Sequence, residues 1–234
     1  MRRVALLYAL AALLPLGCAG EEGQRAQELL AQSDQALAEV TSMRFSGRIW
    51  METPLGDFTF VMSGAGTTTG GGASYVTMHS PDVPEFPETS VVVRGQTAWV
   101  QAGGRWQRMP VPPPQSAAGI EQFDFTPYVE DVDVDDGHDV AGEPAVKVTG
   151  VLDTAALVNG VFGQLGALPG GAVPDISETF SDTRVVLYLS ETSHLPLRTL
   201  VDLSVEAAGE RVDMHMDFAL SGFDEPVRIP SPRG

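Results

Sequence analysis

Cysteine and lysine are almost absent from this chain of 234 residues, and each scarcity excludes a class of protein. A single cysteine, Cys18, has no partner for a disulfide within the chain. A single lysine, Lys147, stands among 14 basic residues that face 31 acidic ones, for a formal net charge of −17. Binding to nucleic acid or to anionic lipid by charge needs a basic surface. Nucleic acid is therefore excluded as a partner, and membrane contact would need an anchor.

Motifs of catalysis and of metal binding are missing as well. The chain has no Gly-x-Ser-x-Gly elbow, no phosphate-binding loop and no dinucleotide fingerprint. The histidines do not have the spacing of zinc ligands, and His215, between Asp213 and Asp217, is the strongest candidate among His79, His138, His194 and His215. We therefore predict a protein that is not an enzyme and has no cofactor and no metal. Hydrolase activity ranks below the two non-enzymatic functions that the rest of the sequence suggests.

The run from Asp131 to Gly137 resembles a calcium-binding loop in composition. An EF-hand loop needs glycine at its sixth position and glutamate at its twelfth, and these positions hold Asp136 and Gly142. Alternating valine and aspartate instead favours a strand with a charged outer face over 129–134.

The N-terminus has the pattern of an export signal. Arg2 and Arg3 precede an apolar run from Val4 to Leu16, which is shorter than the roughly 20 residues that a membrane-spanning helix needs. Small residues around Cys18 follow, and acid begins at Glu21. We predict a signal peptide over 1–17.

The residues around Cys18 resemble a bacterial lipobox, in which the cysteine thiol is acylated and the new N-terminus is held to a membrane by lipid. Gly17 fits the pattern, whereas Pro15 and Leu16 stand where leucine and a small residue are usual. We predict lipid attachment at Cys18, a tether over 18–22, and a location on the outer face of the cell membrane, held by acyl chains such as palmitate. An ordinary signal peptide with an incidental cysteine, or an uncleaved anchor, are the alternatives.

Periodicity predicts a mixed fold in a single domain over 23–234. A helix over 22–40 has apolar positions at three- and four-residue steps: Ala26, Leu29, Leu30, Ser33, Leu37 and Val40. A second helical segment is predicted over 153–168, although three glycines weaken it. Between and after these segments, alternating patterns predict strands over 43–51, 58–62, 75–78, 105–109, 145–151, 183–190, 197–207 and 211–221. The run 91–100 predicts two strands joined by a turn. A Gly/Thr-rich connector over 64–72 and a proline-rich segment over 81–87 separate some of them.

Strands with one apolar face need cover, and the two helices are the only elements that could supply it. The predicted fold class is α+β: a curved antiparallel sheet, an unclosed half-barrel, wrapped around the N-terminal helix and the mid-chain helical insertion.

At this level the chain resembles the LolA/LolB-like lipoprotein superfamily, most closely the actinobacterial LppX/LprG-type lipoproteins. The resemblance lies in turns and layout and covers nearly all of the mature chain: Val40–Gly47, Thr97–Trp106, Val140–Ala145, Lys147–Gly150 and Leu195–Arg198. It implies an unclosed barrel around an apolar cavity that carries the acyl chains of lipids or lipoproteins. The chain departs from the family in its lipobox and in its shortage of lysine.

Methionine and aromatic residues on the apolar strand faces are the candidate lining of such a cavity, because methionine adapts to varied acyl chains. The predicted lining residues are Phe45, Ile49, Met51, Phe58, Phe60, Met62, Phe162, Leu187, Met214, Met216 and Phe218. The proline-rich segment 81–87 and the glycine-broken helix near Phe162 are candidate lids.

The predicted function is that of a membrane-anchored, exported lipoprotein that binds lipid acyl chains and holds or transfers them across the cell envelope. Its expected partners are a lipid or acylated ligand, the membrane and an envelope transport protein, and we expect a monomer. The alternative is a sensor or scaffold lipoprotein with a filled interior that binds a protein partner.

Overall fold

The structure, a computed structural model, describes residues 21–54, 56–69, 72–95, 97–110, 125–154, 180–207 and 210–232. One helix, α1 (Glu21–Glu39), precedes the strands. A 3₁₀ turn over Thr126–Tyr128 lies between the sixth and seventh strands. The strands are β1 (Ser42–Thr53), β2 (Gly56–Thr67), β3 (Ala73–His79), β4 (Thr89–Arg94), β5 (Thr97–Ala102), β6 (Arg105–Pro110), β7 (Val129–Val140), β8 (Glu143–Leu152), β9 (Phe180–Ser190), β10 (Pro196–Ala207) and β11 (Glu210–Ser221).

These strands form one antiparallel sheet in the order β6-β5-β4-β3-β2-β1-β11-β10-β9-β8-β7. Every neighbouring pair is also consecutive in sequence except β1 and β11, which close the centre of the sheet from opposite ends of the domain. β6 and β7 stand at the two edges, so the sheet is open, as the half-barrel prediction requires. Several strands are longer than predicted: β2 continues through the expected Gly/Thr connector to Thr67, and β7 reaches Val140 through two register shifts.

Helix α1 packs on one face of the sheet, which we call the inner face. Its apolar stripe is buried as predicted, with Leu30 and Leu37 each 4% exposed. Leu37 belongs to a cluster with Met43, Phe45 and Leu220, and Leu30 to a larger cluster on β8, β9 and β10. Arg25 fastens the helix to β7 by two hydrogen bonds to the Asp136 carboxylate, at 2.6 and 2.7 Å, and these bonds lower the pKa of Asp136.

Two phenylalanines lie over glycines of the neighbouring strand on this face. Phe45 is in register with Gly64, and Phe218 is in register with Gly47. A Cβ atom at Gly64 would lie 2.5 Å from the Phe45 ring and would collide with the Tyr75 carbonyl oxygen. A strand glycine often marks such a close approach, and here the two glycines let both rings lie against the sheet.

The C-terminal segment 222–232 crosses β1 to β4 on the opposite face, the outer face. Arg44 donates to the Glu225 carboxylate at 2.5 Å and to the Pro226 carbonyl at 2.9 Å. Arg94, on the same face of β4, donates to the carbonyls of Ile229 and Pro230. The segment therefore acts as a strap over the outer face of these four strands.

We expect the start of this strap to loosen in acid. The Thr41 backbone N–H and hydroxyl both donate to one Asp224 oxygen, at 2.8 and 2.7 Å, and lower the pKa of Asp224. A lowered folded-state pKa gives stability above the unfolded value near 3.8 and loses it as the pH falls through the folded pKa. Asp224→Asn should remove that acid dependence and cost about 0.5–1 kcal/mol at neutral pH. Amide hydrogen exchange at Thr41, compared between neutral and acid pH, measures the loosening of the strap. An Asp224→Asn variant that is as acid-sensitive as the unaltered chain would contradict the prediction.

Part of the predicted architecture lies outside the described residues. The predicted signal peptide and nearly all of the mid-chain helical insertion fall in 1–20 and 155–179. α1 begins at Glu21, inside the range predicted for the tether, and the domain boundary stays a prediction. None of the helices that the structure describes has both the length and the apolar character of a membrane span.

Candidate functional site

Most of the predicted lining residues meet on the inner face, where β2, β1 and β11 lie side by side. Direct register forms three rows across these strands: Phe58–Met51–Met214, Phe60–Ile49–Met216 and Met62–Gly47–Phe218. Side chains directly opposite in such pairs have Cβ atoms about 4.5–5.5 Å apart. The predicted residues on these strands therefore form one continuous apolar surface, which the strand alternation had indicated only one strand at a time.

Burial divides this surface into two parts. Phe45, Leu187 and Phe218 are buried, at 5%, 1% and 5% exposed. Phe45 packs in the cluster of Leu37, and Leu187 packs in the cluster of Leu30. The other seven are only partly buried, and we call them the methionine–phenylalanine patch: Ile49, Met51, Phe58, Phe60, Met62, Met214 and Met216. Leu187, two strands from Phe218 along the same row, contacts the cluster that also holds Leu30 of the helix.

The proline-rich segment 81–87 reaches this patch. Phe86 meets Phe60 edge-on, with ring centroids 5.5 Å apart and an interplanar angle of 76°. The segment links β3 to β4 without being a strand, as its prolines predict. One of the two candidate lids therefore contacts the predicted binding surface. The other, near Phe162, and the attachment residue Cys18 lie outside the described residues.

A pocket of about 450 Å³ lies on the outer face, where the sequence analysis expected nothing but solvated polar side chains. We call it the outer-face pocket, and its lining comprises Arg48, Trp50, Lys147, Arg184, Val186, Tyr188, Leu200, Asp202, His215, Met216 and Asp217. Four of these side chains stand in one row across β1, β11, β10 and β9: Trp50, His215, Asp202 and Arg184. Register between distant strands brings them together, so only the weak signal at His215 pointed to this place.

Hydrogen bonds order the pocket wall. The His215 ring pairs through Nδ1 with an Asp202 oxygen at 2.7 Å and lies 5.1 Å from the Trp50 ring, centroid to centroid. Arg198 donates to both oxygens of Asp217, at 2.8 and 2.7 Å, and this pairing raises the pKa of Arg198. Both carboxylates of the lining are therefore already engaged.

The other histidines are scattered. His79 is exposed at the end of β3, His138 pairs with Asp135 at 2.9 Å, and His194 lies in the turn before β10. Within the ranges that the structure describes, no three His, Cys, Asp or Glu side chains are grouped as metal ligands. The acidic run from Asp131 belongs to β7 and pairs with β8, as its alternation predicts.

Two solved mycobacterial structures share this architecture. LprF from Mycobacterium bovis superposes with a TM-score of 0.57 at 19% identity, over 92% of this chain and 100% of LprF. The lipoprotein LppX from Mycobacterium tuberculosis superposes with a TM-score of 0.56 at 14% identity, over 88% of this chain and 99% of LppX. No protein-family model and no curated protein sequence matches the chain. At these identities the likeness establishes a shared fold, and the predicted LppX-type architecture is confirmed at that level.

Proposed function

We propose that this protein is an exported lipoprotein that is anchored through Cys18, binds lipid acyl chains on the methionine–phenylalanine patch, and holds or transfers them across the cell envelope. The observation that carries the proposal is the patch itself: seven apolar side chains, continuous over three strands, that α1 leaves only partly buried. The shared fold with the lipoprotein LppX supports the same reading at the level of architecture.

The patch has the chemistry that an acyl chain needs. Burying hydrocarbon yields about 0.8 kcal/mol per methylene, so ten buried methylenes yield roughly 8 kcal/mol before the entropic costs of binding. Four methionines in the chain's central strands, Met51, Met62, Met214 and Met216, supply flexible and polarisable contacts for chains of different shape. Affinity of this kind requires no polar constellation and no catalytic group, and we infer a protein that is not an enzyme.

Anchoring and cargo binding use separate parts of the chain. Cys18 lies three residues before Glu21, where the described part and α1 both begin. Acylation at Cys18 would hold the domain close to the outer face of the cell membrane, within reach of lipid. A scaffold that binds a protein partner with the same patch is the alternative outcome of the experiment below.

Lipid extraction tests the proposal. Residues 19–234, placed behind an ordinary cleaved export signal, are expressed in a bacterium and collected from the aqueous fraction, whereas the acylated chain should be membrane-bound. Mass spectrometry of organic extracts should find a lipid near one equivalent per chain. Phe60→Glu and Met216→Glu should each remove most of it, because lipid binding would bury an unpaired carboxylate.

Val151→Glu is the matched control, since it places the same carboxylate on an exposed apolar residue of the outer face of β8. It should leave lipid occupancy unchanged. Circular dichroism verifies that each variant is folded. Lipid-free chain, or lipid retained by both patch variants, would refute carriage and favour the protein-binding scaffold.

A further inference from the structure

The outer-face pocket carries two arginines that have no carboxylate partner among the described residues. Within the described part of the chain Arg48 and Arg184 form no ion pair, whereas Arg25, Arg44, Arg198 and Arg211 each bind a carboxylate. In a chain with 31 acidic residues against 14 basic ones, carboxylate partners are abundant. Among the described residues, two guanidinium groups without a carboxylate partner therefore border the same pocket.

The other charges of the pocket do not neutralise these arginines. Asp217 accepts two bonds from Arg198, and Asp202 pairs with His215. Lys147 adds a third cation on β8, 3.9 Å from its nearest carboxylate oxygen on Asp135. The pocket is thus a positive site on a strongly negative protein, and it would attract small anions from solution.

The remaining lining is apolar or aromatic. Leu200 and Val186 lie side by side in the row that begins with Arg48 and Asp217, and Arg184 stands two residues before Val186 on β9. Trp50, 40% exposed, borders the pocket two residues beyond Arg48 on β1, and Tyr188 borders it on β9. Arg48 and Trp50 lie on β1, and Arg184 lies on β9, three strand spacings away. At about 4.8 Å per spacing, the two ends of the pocket are roughly 14 Å apart. This span and the volume of about 450 Å³ match a small organic molecule.

We propose that the outer-face pocket binds a small organic anion, with its phosphate or carboxylate on Arg48 or Arg184 and its apolar body on Leu200 and Val186 beside Trp50. Guanidinium groups bind both kinds of anion through paired, charge-assisted hydrogen bonds. The site opens on the face opposite the methionine–phenylalanine patch and shares only Met216 with it, so its arginines can be exchanged without altering the patch. The anion can be a soluble molecule or the exposed group of a membrane lipid, since both have this chemistry.

Calorimetric titration of the same exported chain, residues 19–234, tests the site with phenyl phosphate, inorganic phosphate and phenol as probes. Phenyl phosphate should bind, inorganic phosphate at least fivefold more weakly, and phenol below detection. Arg48→Gln and Arg184→Gln should each weaken phenyl phosphate binding by roughly tenfold, and the double variant should abolish it. Arg108→Gln, the same exchange at an exposed position on β6, should leave the affinity unchanged.

Co-sedimentation with vesicles distinguishes the two sources of the anion. If the chain binds phosphatidylglycerol vesicles but not phosphatidylcholine vesicles, and the double variant loses this binding, the anion is the exposed group of a lipid. If the chain binds phenyl phosphate but neither kind of vesicle, the anion is a soluble molecule. Two results would overturn the proposal. One is that the chain with both arginines and the double variant bind phenyl phosphate equally well, and the other is that the chain with both arginines binds neither phenyl phosphate nor phosphatidylglycerol vesicles. Failure of lipid extraction would leave this result untouched.

Discussion

Gly64→Val is expected to destabilise the protein by about 3 kcal/mol. A side chain at Gly64 would point into the space that the Phe45 ring occupies, and its Cβ would collide with the Tyr75 carbonyl oxygen on β3. The carbonyl belongs to the β2–β3 ladder and cannot move without breaking it. Because domains of this size are stable by only about 5–15 kcal/mol, the loss should be plain in any unfolding experiment.

Ser63→Val is the matched control for this exchange. Ser63 precedes Gly64 on β2, is exposed on the outer face, and would lose only a hydroxyl contact to Thr77. Its free energy of unfolding should change by less than about 1 kcal/mol, partly because valine favours strands. Urea unfolding followed by circular dichroism compares the two variants. A Gly64→Val protein as stable as Ser63→Val would show that the Phe45–Gly64 contact is not a constraint on the fold.

Local pattern predicted the elements of this fold well, because the elements depend on local alternation. The predicted helix over 22–40 and closing strand over 211–221 match α1 and β11 to within a residue at each end. β7 was predicted six residues too short, since two register shifts and the positive φ of Asp131 interrupt the alternation that marks a strand. The pairing of β1 with β11 joins residues more than 160 positions apart, and no local pattern contains it.

The sequence predicted which residues form the candidate site, but not which of them are buried in the core and which remain in the partly buried patch. Alternation placed Phe45, Met51, Met216 and Phe218 on apolar faces, and register confirms that they share one. Which of them α1 covers depends on where the helix docks, and nothing in the individual strands encodes that. The outer-face pocket was missed for the same reason, because Trp50 and Arg184 become neighbours only through two intervening strands.

The division of the inner face into a buried core and a partly buried patch predicts the second large effect on stability. Leu187→Ala should lower the free energy of unfolding by about 2–5 kcal/mol, because Leu187 is 1% exposed in the core that holds Leu30 and the truncation would leave a cavity. Met51→Ala removes a side chain of similar size from the partly buried patch and should cost about 1 kcal/mol. Urea unfolding of the two variants measures the difference.

Lipid occupancy should follow the opposite order, because a residue of the closed core supports the fold while a residue of the patch contacts the cargo. Met51→Ala should lower the lipid recovered per folded chain, and Leu187→Ala, assayed below its unfolding transition, should retain it. Equal losses of stability at the two positions would show that α1 and its core extend over the whole inner face. In that case the patch would be an ordinary filled interior, and the protein-binding scaffold would be the better account of this fold.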